Sequence, residues 1–106
     1  MLLALPDPPT AALFAVNDSV AIGVLAASRD LGLRVPEDLA VVGFNDNELS
    51  QMLAVPLSSV AIPLETMGRL AVDLLIEQIQ GRPARSKVLQ PRLVARASSG
   101  RSPGLR

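Results

Sequence analysis

Two short polar pairs, Asn17-Asp18 and Asn45-Asp46, each stand directly after an apolar run, Ala11 to Val16 in one case and Leu39 to Phe44 in the other. Amides and carboxylates placed there both donate and accept hydrogen bonds, which suits a ligand rich in hydroxyl groups, such as a sugar or nucleoside. The same residues serve equally well as a helix cap at Asn17 and as turn formers over Asn45-Asp46-Asn47. On spacing alone both readings stand. Asp18, Asp46 and Glu48 also make a set of acids able to bind a divalent cation or share a proton, although caps and turns account for such acids more simply.

Other chemistry is closed off by composition. Histidine and cysteine are both absent, so neither a Ser-His-Asp or Cys-His nucleophile nor a His- or thiolate-based zinc site can be assembled from these residues. Gly23, Gly32 and Gly43 do not form a phosphate-cradling loop, and no serine lies in G-x-S-x-G. A non-enzymatic chain without cofactor or metal is therefore expected. Formal net charge is zero and the only aromatics are Phe14 and Phe44, which offers neither a basic field for DNA nor stacking platforms for single strands. After Gly81 there are seven Lys/Arg and no acid. They are spread singly among Pro, Ser and Gly, as in a solvated terminus.

The opening Met1-Leu2-Leu3-Ala4-Leu5 lacks a basic flank and meets Pro6 early, so export is not indicated. No apolar run approaches the roughly 20 residues of a membrane helix. A cytoplasmic protein with no membrane partner is the expectation.

The polar pairs need elements to hold them. Ala11 to Val16 reads as a buried strand, and a helix follows from Asp18 to Leu31, with Asn17 at its start and Gly32 as its stop. Val20, Val24, Leu25 and Leu31 are expected to face a sheet. Leu39 to Phe44 is a nearly unbroken apolar run, the pattern of a parallel strand covered on both faces. Strand, helix, strand in about 35 residues is a βαβ unit, which puts both polar pairs beyond the carboxyl ends of parallel strands, where open α/β sheets bind ligands. A short helix over Asn47 to Leu53, a strand over Leu57 to Ile62 and a helix over Leu64 to Gln80 follow, the last started by Pro63 and stopped by Gly81. Lys87 to Gln90 and Arg92 to Arg96 read as short strands hinged at Pro91, and Ala97 to Arg106 as a frayed end. These are few elements for a sheet that must hide both faces, which suggests an incomplete domain.

The ordered segments resemble the carboxy-terminal part of the LacI/GalR family of bacterial transcription regulators. Pro9-Thr10-Ala11 through Asn17-Asp18 to Ala21-Ile22-Gly23 is similar to the family's "PTA…ND…A.G", and Leu31-Gly32-Leu33-Arg34-Val35-Pro36-Glu37-Asp38 through Val41-Val42-Gly43-Phe44-Asn45-Asp46 to its "GLRVPEDVSVVGFDD". Pro56 to Val60 resembles "PLTTV", Met67 to Ala71 the helix beyond it, and Leu93 to Ser98 the closing "LVVRES". The matches run from about Pro9 to Ser98 in family order.

This resemblance implies a partial three-layer, periplasmic-binding-protein-like α/β fold with a parallel sheet, incomplete without the rest of an effector domain whose two lobes enclose a small ligand. It implies an extended lead-in over 1–8, a second-lobe βαβ unit over 9–62, a helix and strand of the first lobe over 63–90, a return strand over 91–98 and a disordered tail over 99–106. It also implies that the operator-binding headpiece is not in this chain. Asn17 matches a family effector contact. Asn45 stands where a ligand-binding aspartate is usual, keeping hydrogen-bonding capacity without the charge, and Asp46 neighbours it. Ile62 occupies a position where many relatives have Gln. Dimerisation through the second lobe would place Met52 and Leu53 at a homodimer interface. The implied function is that of a repressor fragment sensing a sugar or similar effector. A piece of an exported sugar-binding transport protein of the same fold, or a truncated reading frame, are the alternatives.

Overall fold

The computed structural model describes residues 11–100. The expected lead-in over 1–8 lies outside them, as does the expected tail beyond Gly100. Four strands and two helices follow one another as β1 (Ala11–Phe14), α1 (Asp18–Asp30), β2 (Leu39–Phe44), β3 (Ser58–Ala61), α2 (Leu64–Ile79) and β4 (Arg92–Val94). Single 3-10 turns cover Glu48–Gln51 and Ala97–Ser99. Two compact units result: one takes the chain up to Ala61 and again from Leu93, and the other is Ile62–Arg92.

The first unit is an α/β layer whose four strands stand in the order β1-β2-β3-β4. β1 and β2 pair in parallel from Ala11 opposite Leu39 to Phe14 opposite Val42. β2 and β3 do so from Val42 opposite Ser58 to Phe44 opposite Val60. Parallel neighbours need a crossover, and α1 supplies it between β1 and β2. Its start is set by Asn17, whose Oδ1 accepts from the Val20 amide at 2.9 Å. Its end is set by Gly32 at φ 72°, which lets the amides of Gly32 and Leu33 turn back onto the carbonyls of Arg29 and Ser28.

Alternation along β2 divides the sheet into two unlike faces. Leu39, Val41 and Gly43 are buried, while Ala40, Val42 and Phe44 are half-buried. The buried face packs with Ala15, Ala21 and Leu57, and Leu13, Val24, Leu25 and Leu53 lie against this core. On the opposite face Phe14 stacks on Phe44 with ring centroids 6.4 Å apart, yet remains 65% exposed. The apolar run of β2 predicts cover on both faces. Among the described residues of this unit only one face has it, because α1 is the one helix packed there.

Local readings need correction in three places. The buried line of α1 is Asp18, Ala21 and Ser28, with Val20 and Leu31 about half exposed. These residues fall three and seven apart, on one helical face. That face is set by hydrogen bonding and small size and so carries little hydrophobic signal. Lys87 to Gln90 forms no strand among the described residues, since β4 begins only at Arg92. The expected fraying from Ala97 is also wrong for its first residues: Ala97–Ser99 is a closed turn, and Ser98 is fully buried. Its hydroxyl receives a hydrogen bond from the Ser58 amide at 2.8 Å and donates to the Val41 carbonyl at 2.6 Å. A serine tail with such partners becomes part of the core.

The second unit is simpler. α2 ends at Gly81, φ 86°, in the same manner as α1 ends at Gly32, with the Gly81 and Arg82 amides donating to Gln78 and Glu77. No residue of α2 is buried, and Leu75, Ile76 and Ile79 are exposed. Arg85 grips the Glu77 carboxylate with two 2.8 Å hydrogen bonds and holds it below the usual carboxylate range.

Candidate functional site

The two polar pairs are joined through one buried carboxylate. Asp18 is 1% exposed. Its Oδ2 accepts from the Asn47 amide at 2.7 Å and the Ser50 hydroxyl at 2.5 Å, and its Oδ1 accepts from the Ser59 hydroxyl at 2.6 Å. Three segments thereby meet at one side chain: the start of α1, the loop after β2, and β3. A buried carboxylate persists only with such satisfaction, and no buried side-chain polar atom lacks a partner among the described residues. Gly43 leaves the room for it. A Cβ on Gly43 would overlap Asp18 Oδ1 and stand 3.1 Å from Leu57 Cδ2.

The loop beyond β2 is held in an unusual shape. Asn45 and Asp46 both have positive φ, 93° and 50°, conformations that asparagine and aspartate tolerate better than most residues. The Asn45 amide donates to the Val60 carbonyl and the Asp46 amide to Ser59 Oγ, each at 2.9 Å. The Asp46 carboxylate receives Arg96 Nη1 at 2.7 Å. The Asn45 side chain is exposed and makes no hydrogen bond among the described residues.

Asn17, Asn45 and Asp46 consequently rise from one edge of the sheet, past the ends of β1 and β2, braced from beneath by Asp18. Asn17 is half-buried, and its Oδ1 is engaged by the helix while its amide nitrogen has no partner among the described residues. Asn45 presents both a donor and an acceptor. Asp18 and Asp46 are engaged within the protein, and the described residues hold no group of three His, Cys, Asp or Glu placed to share a metal ion. Ile62, one residue beyond β3, opens the second unit and is half-buried.

On the α1 side of the first unit lies an apolar groove of about 480 Å³, whose walls include Ile22, Leu25, Ala26, Arg29, Leu33 and Leu53. Leu53 also packs on the core, whereas the neighbouring Met52 is 75% exposed. Ser50, Ser59 and Ser98 do not stand out in the sequence as functional residues. The signal they carry is polarity out of place: Ser58-Ser59 open a strand whose neighbours are apolar, and each buried hydroxyl needs a partner elsewhere.

Residues 1–99 match the family model of the periplasmic binding protein-like domain. The chain is 46% identical over 99 residues to the lactose operon repressor of Rhizobium radiobacter, covering 92% of this chain and 87% of that sequence. The chain belongs to the LacI-type periplasmic binding protein-like family. Solved structures of LacI-type proteins share the fold. The transcriptional regulator CelR in complex with cellobiose superposes with a TM-score of 0.76 at 40% identity over 83% of this chain and 28% of that one. The lac repressor dimer bound to operator and the anti-inducer ONPF gives 0.77 at 33% identity over 88% of this chain and 32% of that one. Further curated regulators are 38 to 42% identical, and the chain spans 28 to 30% of their length. It thus corresponds to a part of the effector-binding domain of such LacI-type proteins. No helix among the described residues is long and apolar enough to cross a membrane.

Proposed function

We propose that this chain supplies one wall of the effector site of a cytoplasmic LacI-type repressor, with Asn17 and Asn45 as hydrogen-bonding contacts, Asp46 as their support and Ile62 as an apolar contact. The carrying observation is the convergence on Asp18, which fixes the loops after β1 and β2 to each other and to β3. Rigidly set amides of this kind recognise hydroxyl groups of a sugar or nucleoside without performing chemistry on them. That role requires neither an enzyme activity nor a cofactor. The cellobiose bound to CelR supports a sugar as the effector class. Binding would shift a balance between lobe arrangements and so reach operator DNA through a headpiece.

The groove beside α1, which Leu53 helps to line, and the exposed Met52 that precedes Leu53 in sequence support self-association of this face, as does the dimeric state of the lac repressor. Effector contact is tested by two-dimensional NMR titration of the chain with cellobiose, lactose and uridine. Shifts centred on Asn17 and Asn45 in the chain, and their loss in Asn17→Ala, are expected. Equal affinity in the chain and in Asn17→Ala removes Asn17 from the site. Sedimentation of the chain and of Met52→Glu tests the association, which the substitution should abolish.

A further inference from the structure

Asn45 and Asp46 occupy consecutive left-handed positions, a backbone arrangement that persists only where the surroundings hold it. Two of the ties on this turn come from β3, through Val60 and Ser59. The third comes from far along the chain: Arg96 Nη1 reaches the Asp46 carboxylate at 2.7 Å, 50 residues away in sequence. Arg96 is itself fixed at both ends. Nη1 also donates to the Leu57 carbonyl at 2.8 Å, while its backbone amide donates to Ser58 Oγ at 2.7 Å and its carbonyl accepts from the same hydroxyl at 3.0 Å. Its side chain is only 17% exposed and that of Asp46 only 21%. A charge-assisted hydrogen bond in such partial burial is stronger than an exposed ion pair, and the immobilised guanidinium leaves the carboxylate one place to go.

Resting on the effector reading above, we infer that Arg96 is a positioning residue for Asn45. By holding Asp46, it locks the left-handed turn from which the Asn45 amide projects. The lock is delivered by the segment with which the chain re-enters the first unit just after β4, so the aim of Asn45 depends on that return being made.

The test has a ligand-free and a ligand-bound arm. In the free chain, amide-to-Hα couplings and backbone shifts should report left-handed Asn45 and Asp46. Arg96→Ala should lose that signature while the β2 signals stay in place, and Arg96→Lys should keep part of it. A left-handed turn retained in Arg96→Ala overturns the inference, whether or not any sugar binds. In the second arm, with cellobiose and lactose as probes, Arg96→Ala should weaken binding roughly tenfold, the scale of one charged hydrogen bond. It should have no further effect in an Asn45→Ala background, because it acts through Asn45. Additive losses would instead mark Arg96 as general support and sink the inference. A turn that collapses in Arg96→Ala in a chain that binds neither sugar keeps the lock and discards the effector reading. Should Arg96→Ala fail to fold, Asp46→Asn and Arg96→Lys carry both readouts, and a turn left intact in Asp46→Asn overturns the inference in the same way.

Discussion

The two units of this chain bury their surfaces in opposite ways. The first closes over polar groups: Asp18, Ser28, Ser50, Ser58, Ser59 and Ser98 are all buried. The second presents a 16-residue helix on which nothing is buried, although its face includes Met67, Leu75, Ile76 and Ile79. Apolar content therefore does not identify where this molecule is well packed. What distinguishes the first unit is that its elements meet at atoms needing specific partners, so a few positions define one arrangement. An apolar stripe without cover imposes no such definition.

Substitutions can break or sharpen this contrast. The largest effect is expected from Asp18→Ala, which strands the Asn47 amide and the Ser59 hydroxyl and leaves the Ser50 hydroxyl only its longer bond to Asn47 Oδ1; at about 1 kcal/mol for each lost bond, plus the void, stability should fall by about 3 to 4 kcal/mol in a denaturant melt. Gly43→Ala drives a methyl into Asp18 and Leu57 and should cost about 2 to 3 kcal/mol by the same measurement. A Gly43→Ala chain as stable as the parent would show that the carboxylate can relax and that the junction is loose. Next comes a matched pair. Leu57→Ala, at a fully buried site, should lose about 3 kcal/mol, whereas Leu75→Ala, on the exposed face of α2, should change stability by less than about 0.5 kcal/mol. Equal losses would erase the distinction between the units.

The smallest effect concerns the turn before β2. Arg34 binds the Asp38 carboxylate through its side chain and its backbone amide, which lowers the Asp38 pKa to about 2. Because the folded value lies below the ordinary one of 3.8, the contribution is complete above that ordinary value and fades as pH falls toward 2. The pair is exposed, so Asp38→Asn should barely move the melting temperature, while an NMR titration should place the Asp38 midpoint near 2.

Much of this architecture can be read from residue order alone. The run Leu39–Phe44 appears as β2 without revision, and Gly32 and Gly81 stop their helices where a positive φ is required. Those features are local, and local preference and tertiary structure agree there. The inner line of α1 escapes such reading because Asp18 faces inward for its hydrogen bonds, while Ser28, whose hydroxyl donates to the Val24 carbonyl of its own helix, is small and polar, and hydrophobic periodicity registers neither. Ser98 looks like fraying because the composition of Ala97 to Arg106 resembles a loop, while its partners Ser58 and Val41 lie 40 and 57 residues earlier. Asn17 and Asn45 are visible from their positions after apolar runs. The hub beneath them is not, since nothing in the spacing of Asp18, Ser50 and Ser59 announces that they converge.

The bond from Ser98 to the Val41 carbonyl has a consequence for how the chain acquires its shape during synthesis. Val41 lies in the central β2, yet the hydroxyl that completes its hydrogen bonding is made 57 residues later, after the whole of Ile62–Arg92 has been added. Loop closure over that distance adds entropy cost that only the finished contact offsets. A ribosome-bound chain ending before Ser98 would hold its first three strands and α1 with a gap at the middle of the sheet. The first unit is therefore begun first and finished last, by the two serines Ser98 and Ser99 that bond back to the opening of β3.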